Sequence, residues 1–235
     1  MTAVVEGARP DAPELSEFVQ YLFLKVDPAW RRLPVRERAA GRSGFAQALA
    51  AATDVTWFSY STLGLKVGAD IMLWWKSREP DTAQLLTGTL LGTGLGQYCE
   101  ISHSLWGITR PSLYTKRRTA QEQALDAPDR LKYLIVYPFT KTIEWYLMSR
   151  DARQGLMNEH MRVGHDYADV RQVLLYATGL DDQEFVVAYE TDSLERHHQL
   201  VVALRATEAR RYTQRDTPIF TAIHRPIDDV LSLIG

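Results

Sequence analysis

Apolar and polar positions alternate along this chain in two rounds of the same order. The first round opens at 18–26 (FVQYLFLKV), a β-branched and aromatic run of strand length. Residues 35–52 (VRERAAGRSGFAQALAAA) read as a helix. Strands at 55–62 and 70–75 (DIMLWW) flank a glycine-containing turn; a helix over about 81–91 and a strand near 99–106 complete the round. The second round begins with a strand at 132–139 (KYLIVYPF) and a helix at 150–161 (RDARQGLMNEHM), for which Ser149 is a candidate N-cap. A strand pair at 172–178 and 184–190 turns through Gly179-Leu180-Asp181-Asp182, and a helix at 194–206 and a strand at 219–224 close it.

Each round reads β-α-β-β-α-β, the ferredoxin-like arrangement. A local echo supports duplication: YSTLGLKVGADIMLWW (60–75) against YATGLDDQEFVVAYET (176–191). A repeat of about 115 residues is far too long for a solenoid. The expected organisation is α+β, with duplicated ferredoxin-like domains at 16–114 and 131–235. A polar, charged linker at 115–130 joins them, and residues 1–15 form a disordered lead-in. Two helices on one face of an antiparallel sheet leave a concave space in which a flat apolar ligand could be buried.

Bulk properties narrow the function classes. With 235 residues and 46% hydrophobic types the chain can build one large core or two smaller ones. The net charge of −2 offers no basic field for nucleic acid or anionic membrane. The longest apolar runs are strand-length, well short of the roughly 20 residues of a bilayer span. Residues 1–15 carry no apolar stretch of the signal-peptide kind, so a cytoplasmic protein is expected. The single cysteine, Cys99, excludes an intrachain disulfide framework and a thiolate zinc site, and no Cys-x-x-Cys-His is present for covalent haem attachment.

Among candidate chemical groups, His160 falls on one helical face with Leu156, Met157 and Met161, away from Arg150, Arg153, Gln154 and Asn158. A lone histidine there is by default a packed core side chain; the alternative is a neutral imidazole offered to iron. Tyr137-Pro138-Phe139-Thr140-Lys141 ends a strong strand, where a rigid sheet hands side chains to a pocket. It reads either as an edge tyrosine with a solvated lysine, or as a redox-capable phenol beside a cation able to pair with a carboxylate. Glu144-Trp145-Tyr146-Leu147 would pack a core or a porphyrin edge equally well. His197-His198 lies in a polar helical stretch and reads as solvent-facing. Asp181-Asp182 with Glu184 reads as turn chemistry. The glycines at 92, 94 and 96 do not open a helix after a parallel strand, and no P-loop, Gly-x-Ser-x-Gly or His-Glu-x-x-His occurs.

Taken together, FVQYLFLKVDPAWRRLP (18–34), KYLIVYPFTKTIEWYLM (132–148), LMNEHMRVGHDY (156–167), TGLDDQEFVVAYETD (178–192) and ATEARRYTQRDTPIFT (206–221) resemble the chlorite dismutase family, which includes the coproheme decarboxylases, from Phe18 to about Pro226. The resemblance implies a homopentamer of dimeric α+β barrel subunits, each holding haem b or iron coproporphyrin III (coproheme) non-covalently in the C-terminal domain. It implies His160 as proximal iron ligand, Glu208 as the carboxylate bonded to that imidazole, and Lys66 near the carboxylate. It implies Tyr137 as redox tyrosine, Lys141 beside a reactive propionate, and Trp145 and Met157 against the porphyrin.

The resemblance leaves the reaction to the distal residue. Counting back from Thr178-Gly179, Gln172 falls where chlorite-degrading members carry arginine and many decarboxylases carry glutamine. The segment from His160 to Gln172 is one residue shorter than in those relatives, so Arg171 or Val173 could occupy the position instead. Arg171 should face the other side of its strand from Gln172. The expectation is therefore peroxide-dependent decarboxylation of coproheme to haem b. The alternatives are chlorite splitting to chloride and dioxygen, and a haem-binding or peroxidase-like protein with neither activity.

Overall fold

The computed structural model describes residues 16–112, 114–115 and 125–235, so the expectation for residues 1–15 and most of that for 115–130 lie outside the described residues. The first half comprises β1 (Phe18–Val26), α1 (Val35–Ala50), β2 (Thr56–Ser61), β3 (Ile71–Ser77), α2 (Pro80–Leu91) and β4 (Cys99–Ile108). The second comprises β5 (Tyr133–Lys141), α3 (Ile143–Leu147), α4 (Arg150–His165), β6 (Arg171–Tyr176), β7 (Phe185–Thr191), α5 (Leu194–Arg205), β8 (Thr213–Arg215), β9 (Phe220–His224) and α6 (Ile227–Leu233). Short α3, β8 and α6 carry little periodic signal and were not expected; α4 runs four residues past its expected end. No described helix is long and apolar enough to cross a membrane.

The strands form one sheet in the order β7-β6-β4-β1-β3-β2-β9-β5-β8, and β5 also pairs with β7, so eight strands close into a barrel. Each half contributes four, and the halves meet at two narrow seams. One is β2–β9, through Tyr60↔His224 and Ser61↔Ile223; the other is β4–β6, through Ile108↔Tyr176. At the second seam Gly107 lets the backbones approach, since a Cβ there would stand 2.8 Å from the Tyr176 carbonyl oxygen and 3.1 Å from the Leu175 side chain.

The run of apolar residues in β1 follows from burial on both faces. Val19, Tyr21 and Phe23 point into the barrel with Met72, Trp74, Val136, Val186 and Phe220. Leu22, Leu24 and Val26 point outward against Trp30, Phe45, Leu49, Leu90, Val230 and Leu231, which fill the layer under α1, α2 and α6. The second half repeats the layout but not the filling. Its outer layer holds Val170, Val187, Tyr189 and Leu200 as fully buried members, and α4 has no fully buried residue at all. Helix α4 starts on Ser149, whose Oγ accepts from the Ala152 N–H at 3.2 Å, and α5 on Ser193, whose Oγ accepts from the Arg196 N–H at 3.3 Å. Caps of this kind contribute about 1 kcal/mol each. The helices are thus held at their ends while the space beneath them stays open.

The barrel interior contains a buried ion pair. Arg130 Nη1 lies 3.4 Å from Glu190 Oε2, with the side chains 1% and 2% exposed. The guanidinium sits 4.6 Å over Phe58 and 4.5 Å over Trp74, and the Tyr60 hydroxyl donates to Glu190 Oε1 at 3.3 Å.

Candidate functional site

Between α4, α5 and the outer face of β5, β7 and β6 lies an open cavity of about 300 Å³. Its sheet wall alternates with the barrel interior as the period of two demands. Tyr137 and Phe139 from β5, Val187 and Tyr189 from β7, and Gln172 and Leu174 from β6 face the cavity. Val136, Val186, Ala188 and Val173 face the barrel core. Pro138 is tolerated in β5 because its position falls between the last pairing with β9, at Val136, and the first with β8, at Thr140.

The helix wall carries Met157, His160 and Met161 from α4 and Leu200, Val201 and Leu204 from α5. His160 is half-buried, and its pKa is lowered to about 4, first by burial and then by the charge of Lys141, with Glu159 opposing. The imidazole is therefore neutral at physiological pH, the form that ligates metal. Lys141 Nζ donates to Thr213 Oγ1 at 3.3 Å and lies 4.5 Å from the Trp145 ring centroid. Burial, then the neighbouring Arg210 charge, lowers its pKa to about 8, with Glu184 opposing. The Lys141 backbone N–H donates to Glu184 Oε2 at 2.7 Å, which fixes the end of β5.

Six of the residues singled out in the sequence therefore line one cavity: Tyr137, Lys141, Trp145, Met157, His160 and Gln172. Gln172 occupies the sheet wall facing α4, while Arg171 turns the other way and pairs with Asp129 at 3.0 Å. Val173 faces the barrel core.

Two residues are placed elsewhere. The Glu208 carboxylate is 56% exposed and pairs with Arg211 at 2.9 Å, because three residues separate them on a short 3-10 turn. Only its backbone approaches the site, the N–H donating to Glu159 Oε2 at 3.0 Å. Lys66 lies in the β2–β3 connection with its Nζ 5.0 Å over the Phe220 ring, outside the cavity lining.

Two further expectations are corrected. His197 turns inward: its ring packs 5.2 Å from that of Tyr189, and its Nε2 is buried. Burial, then His198, lowers its pKa to about 4. Adjacent residues on a helix point in different directions, so His198 alone is exposed. Arg153, expected away from the apolar face, lines the cavity, because seven residues, or two turns, before His160 lies the same stripe.

Arg205 and Arg210 also reach the cavity, each paired with Asp216, at 3.3 Å and 2.7 Å. Neither was legible in the sequence, where arginines at these spacings are ordinary surface residues. Among the described lining residues, four Lys or Arg side chains thus face one carboxylate, that of Asp216. An apolar slot, the neutral imidazole of His160 on its helix wall with a second histidine, His165, further along α4, and an excess of cations together suit a flat, multiply anionic ligand with a metal at its centre. No cluster of three or more acidic, histidine or cysteine side chains able to hold a bare metal ion occurs among the described residues.

The sequence profile of the chlorite dismutase family matches residues 36–225. The chain belongs to the chlorite dismutase family. Across 177 residues it is 32% identical to the coproheme decarboxylase of Mycolicibacterium smegmatis, covering 74% of each chain. It is 23% identical over 227 residues to the chlorite dismutase of Ideonella dechloratans, covering 93% of this chain and 80% of the other. Its structure superposes with a TM-score of 0.84 on chlorite dismutase from Candidatus Nitrospira defluvii in complex with imidazole, at 26% identity, covering 92% of this chain and 94% of that one. The duplicated α+β fold read from the sequence is the fold of this family.

Proposed function

We propose that this family member binds iron coproporphyrin III through His160 and converts it to haem b with peroxide, acting as a cytoplasmic homopentamer. The observation that carries the reading is the sheet wall opposite His160, which presents a phenol, Tyr137, and an amide, Gln172, among apolar side chains. The similarity to a coproheme decarboxylase over three quarters of the chain supports it.

The porphyrin and peroxide together supply a two-electron oxidant, and the protein supplies orientation and electrostatics. Tyr137 gives up one electron and its phenolic proton, the proton ending in water formed from peroxide. The tyrosyl oxygen then takes a hydrogen atom from the β-carbon of a propionate, which restores the phenol. Loss of a second electron from the substrate and cleavage of the bond to the carboxylate release CO2 and leave a vinyl group. Each propionate consumes one peroxide and one proton and yields two waters. Lys141, 4.5 Å from the Trp145 ring, is suited to hold the reacting carboxylate, and burial of the pair excludes water that would weaken the contact. Arg153, Arg205 and Arg210 are suited to the remaining propionates. Among the described residues the sheet wall facing His160 carries Gln172 and no guanidinium to hold an anionic oxidant, so chlorite turnover is expected to be weak or absent.

The test loads the purified protein with iron coproporphyrin III, adds peroxide and follows the products by mass. Stepwise loss of two propionate carboxyls is expected, and Tyr137→Phe should block it while still binding porphyrin. Conversion at the normal rate by Tyr137→Phe would overturn the mechanism. Dioxygen release from chlorite without decarboxylation would replace it with the family's other reaction, and neither activity in a loaded protein would leave a haem-binding role.

A further inference from the structure

The polar groups of the sheet wall form a row across three adjacent strands. In the β6–β7 register Gln172 stands directly opposite Tyr189. In the β5–β7 register Tyr137 stands opposite Val187, so Tyr189 is its diagonal neighbour on the same face. The Tyr137 and Tyr189 rings stack with centroids 6.1 Å apart and planes 29° apart, which sets the two phenols side by side on the wall, each bearing on the other's pKa. Phe139, Leu174, Phe185 and Val187 surround this row with apolar side chains, with Tyr176 and Lys141 at the ends of β6 and β5. Tyr189 thus sits between the phenol and the amide to which the proposed reaction assigns roles, yet it has been given none.

We propose that Tyr189 is a positioning residue for Tyr137, donating its hydroxyl proton to Tyr137 Oη and so stabilising that oxygen after it has lost its hydrogen. The proposal rests on the reading of Tyr137 as the redox group. The direction of the bond follows from burial. Tyr189 is the more deeply buried phenol, 5% exposed, with its pKa held well above the ordinary value by desolvation and by Tyr137, so it keeps its proton and donates. The same bond pulls Tyr137 back down against the rise that its own burial causes. An oxidised, deprotonated phenol oxygen can only accept hydrogen bonds. A donor fixed in a wall of low dielectric therefore favours the oxidised state more than it favours the resting phenol. His197 holds the other side of Tyr189: its ring lies 5.2 Å away at 57° to the tyrosine plane and locks the phenol from α5.

Tyr189→Phe removes the hydroxyl and keeps the ring, so the stacks on Tyr137 and His197 survive. Three readouts are expected. Affinity for iron coproporphyrin III, from an absorbance titration, stays within about twofold. In the porphyrin-free protein, alkaline titration followed by phenolate absorbance, with Tyr137→Phe as reference, shows Tyr137 ionising at higher pH in the variant. In freeze-quenched samples of the loaded protein with peroxide, the tyrosyl radical loses an exchangeable deuteron coupling in D2O, and kcat falls about tenfold with KM unchanged, the equivalent of one hydrogen bond. An unchanged Tyr137 titration in Tyr189→Phe would overturn the assignment of the bond. A wild-type protein that decarboxylates without any radical on Tyr137 would instead overturn the functional reading on which it rests.

Discussion

Replacing Glu190 by glutamine tests whether the ion pair inside the barrel stabilises the fold or burdens it. Glu190 is 1% exposed and pairs with Arg130. Burial outweighs that partner and raises the carboxyl pKa from 4.5 to about 7, with Arg130, Arg171 and the Tyr60 hydroxyl opposing. A carboxyl whose pKa is raised on folding contributes stability that is fully present below its unfolded pKa. That contribution fades as pH climbs to the folded pKa and is constant above it. The gap between 4.5 and about 7 corresponds to a decline of about 3 kcal/mol between pH 4.5 and pH 7, at about 1.4 kcal/mol per pH unit. Glutamine has nearly the same shape and does not titrate, so the variant lacks this decline. Histidines and other carboxylates titrate alike in both proteins and cancel in the difference. The assay is urea unfolding of wild type and Glu190→Gln at pH 5, 6, 7 and 8. The variant should gain on the wild type by about 2 kcal/mol between pH 5 and neutrality. A difference between the two proteins that stays flat from pH 5 to 8 would mean the carboxylate is already ionised in the folded protein, which would refute the reasoning.

Other consequences are open to direct measurement. His160→Ala should abolish or severely weaken porphyrin uptake, and unaltered visible absorption bands in the loaded variant would remove the basis for every role assigned around that ring. Gln172→Arg places a guanidinium on the wall facing His160, so small anions should bind the loaded ferric protein about tenfold more tightly in an absorbance titration, and chlorite should yield measurable dioxygen. Gly107→Ala should cost about 1–3 kcal/mol in urea unfolding, because the added methyl meets the Tyr176 carbonyl at the seam between the halves.

Much of this architecture is local and therefore legible. The burial of β1 on both faces writes itself as an unbroken apolar run, and Ser149 and Gly179 mark a helix start and a turn by their own conformational preferences. His160 was legible as a histidine on an apolar stripe, and the order of five motifs identified the family. The strand period of two was enough to separate Gln172 from Arg171, since neighbours in a strand face opposite sides.

Tertiary structure alone decided what the local pattern leaves degenerate. Arg153, Arg205 and Arg210 are amphipathic side chains whose sequence signal is the same on a solvent face as on a cavity wall, and only the placement of α4 and α5 over the sheet turns them inward. His197 sits in a polar stretch, and its burial depends on the distant Tyr189 beneath it. Glu208 carries the motif of an imidazole partner, yet a closer cation, Arg211, holds its carboxylate at the surface. By itself the chain determined its elements, their duplication and the residues with chemical capacity, because those depend on neighbours in sequence. Which of these residues meet was decided by closure of the barrel and by one outer layer packing solid while the other stayed open, since burial and electrostatic coupling depend on neighbours in space.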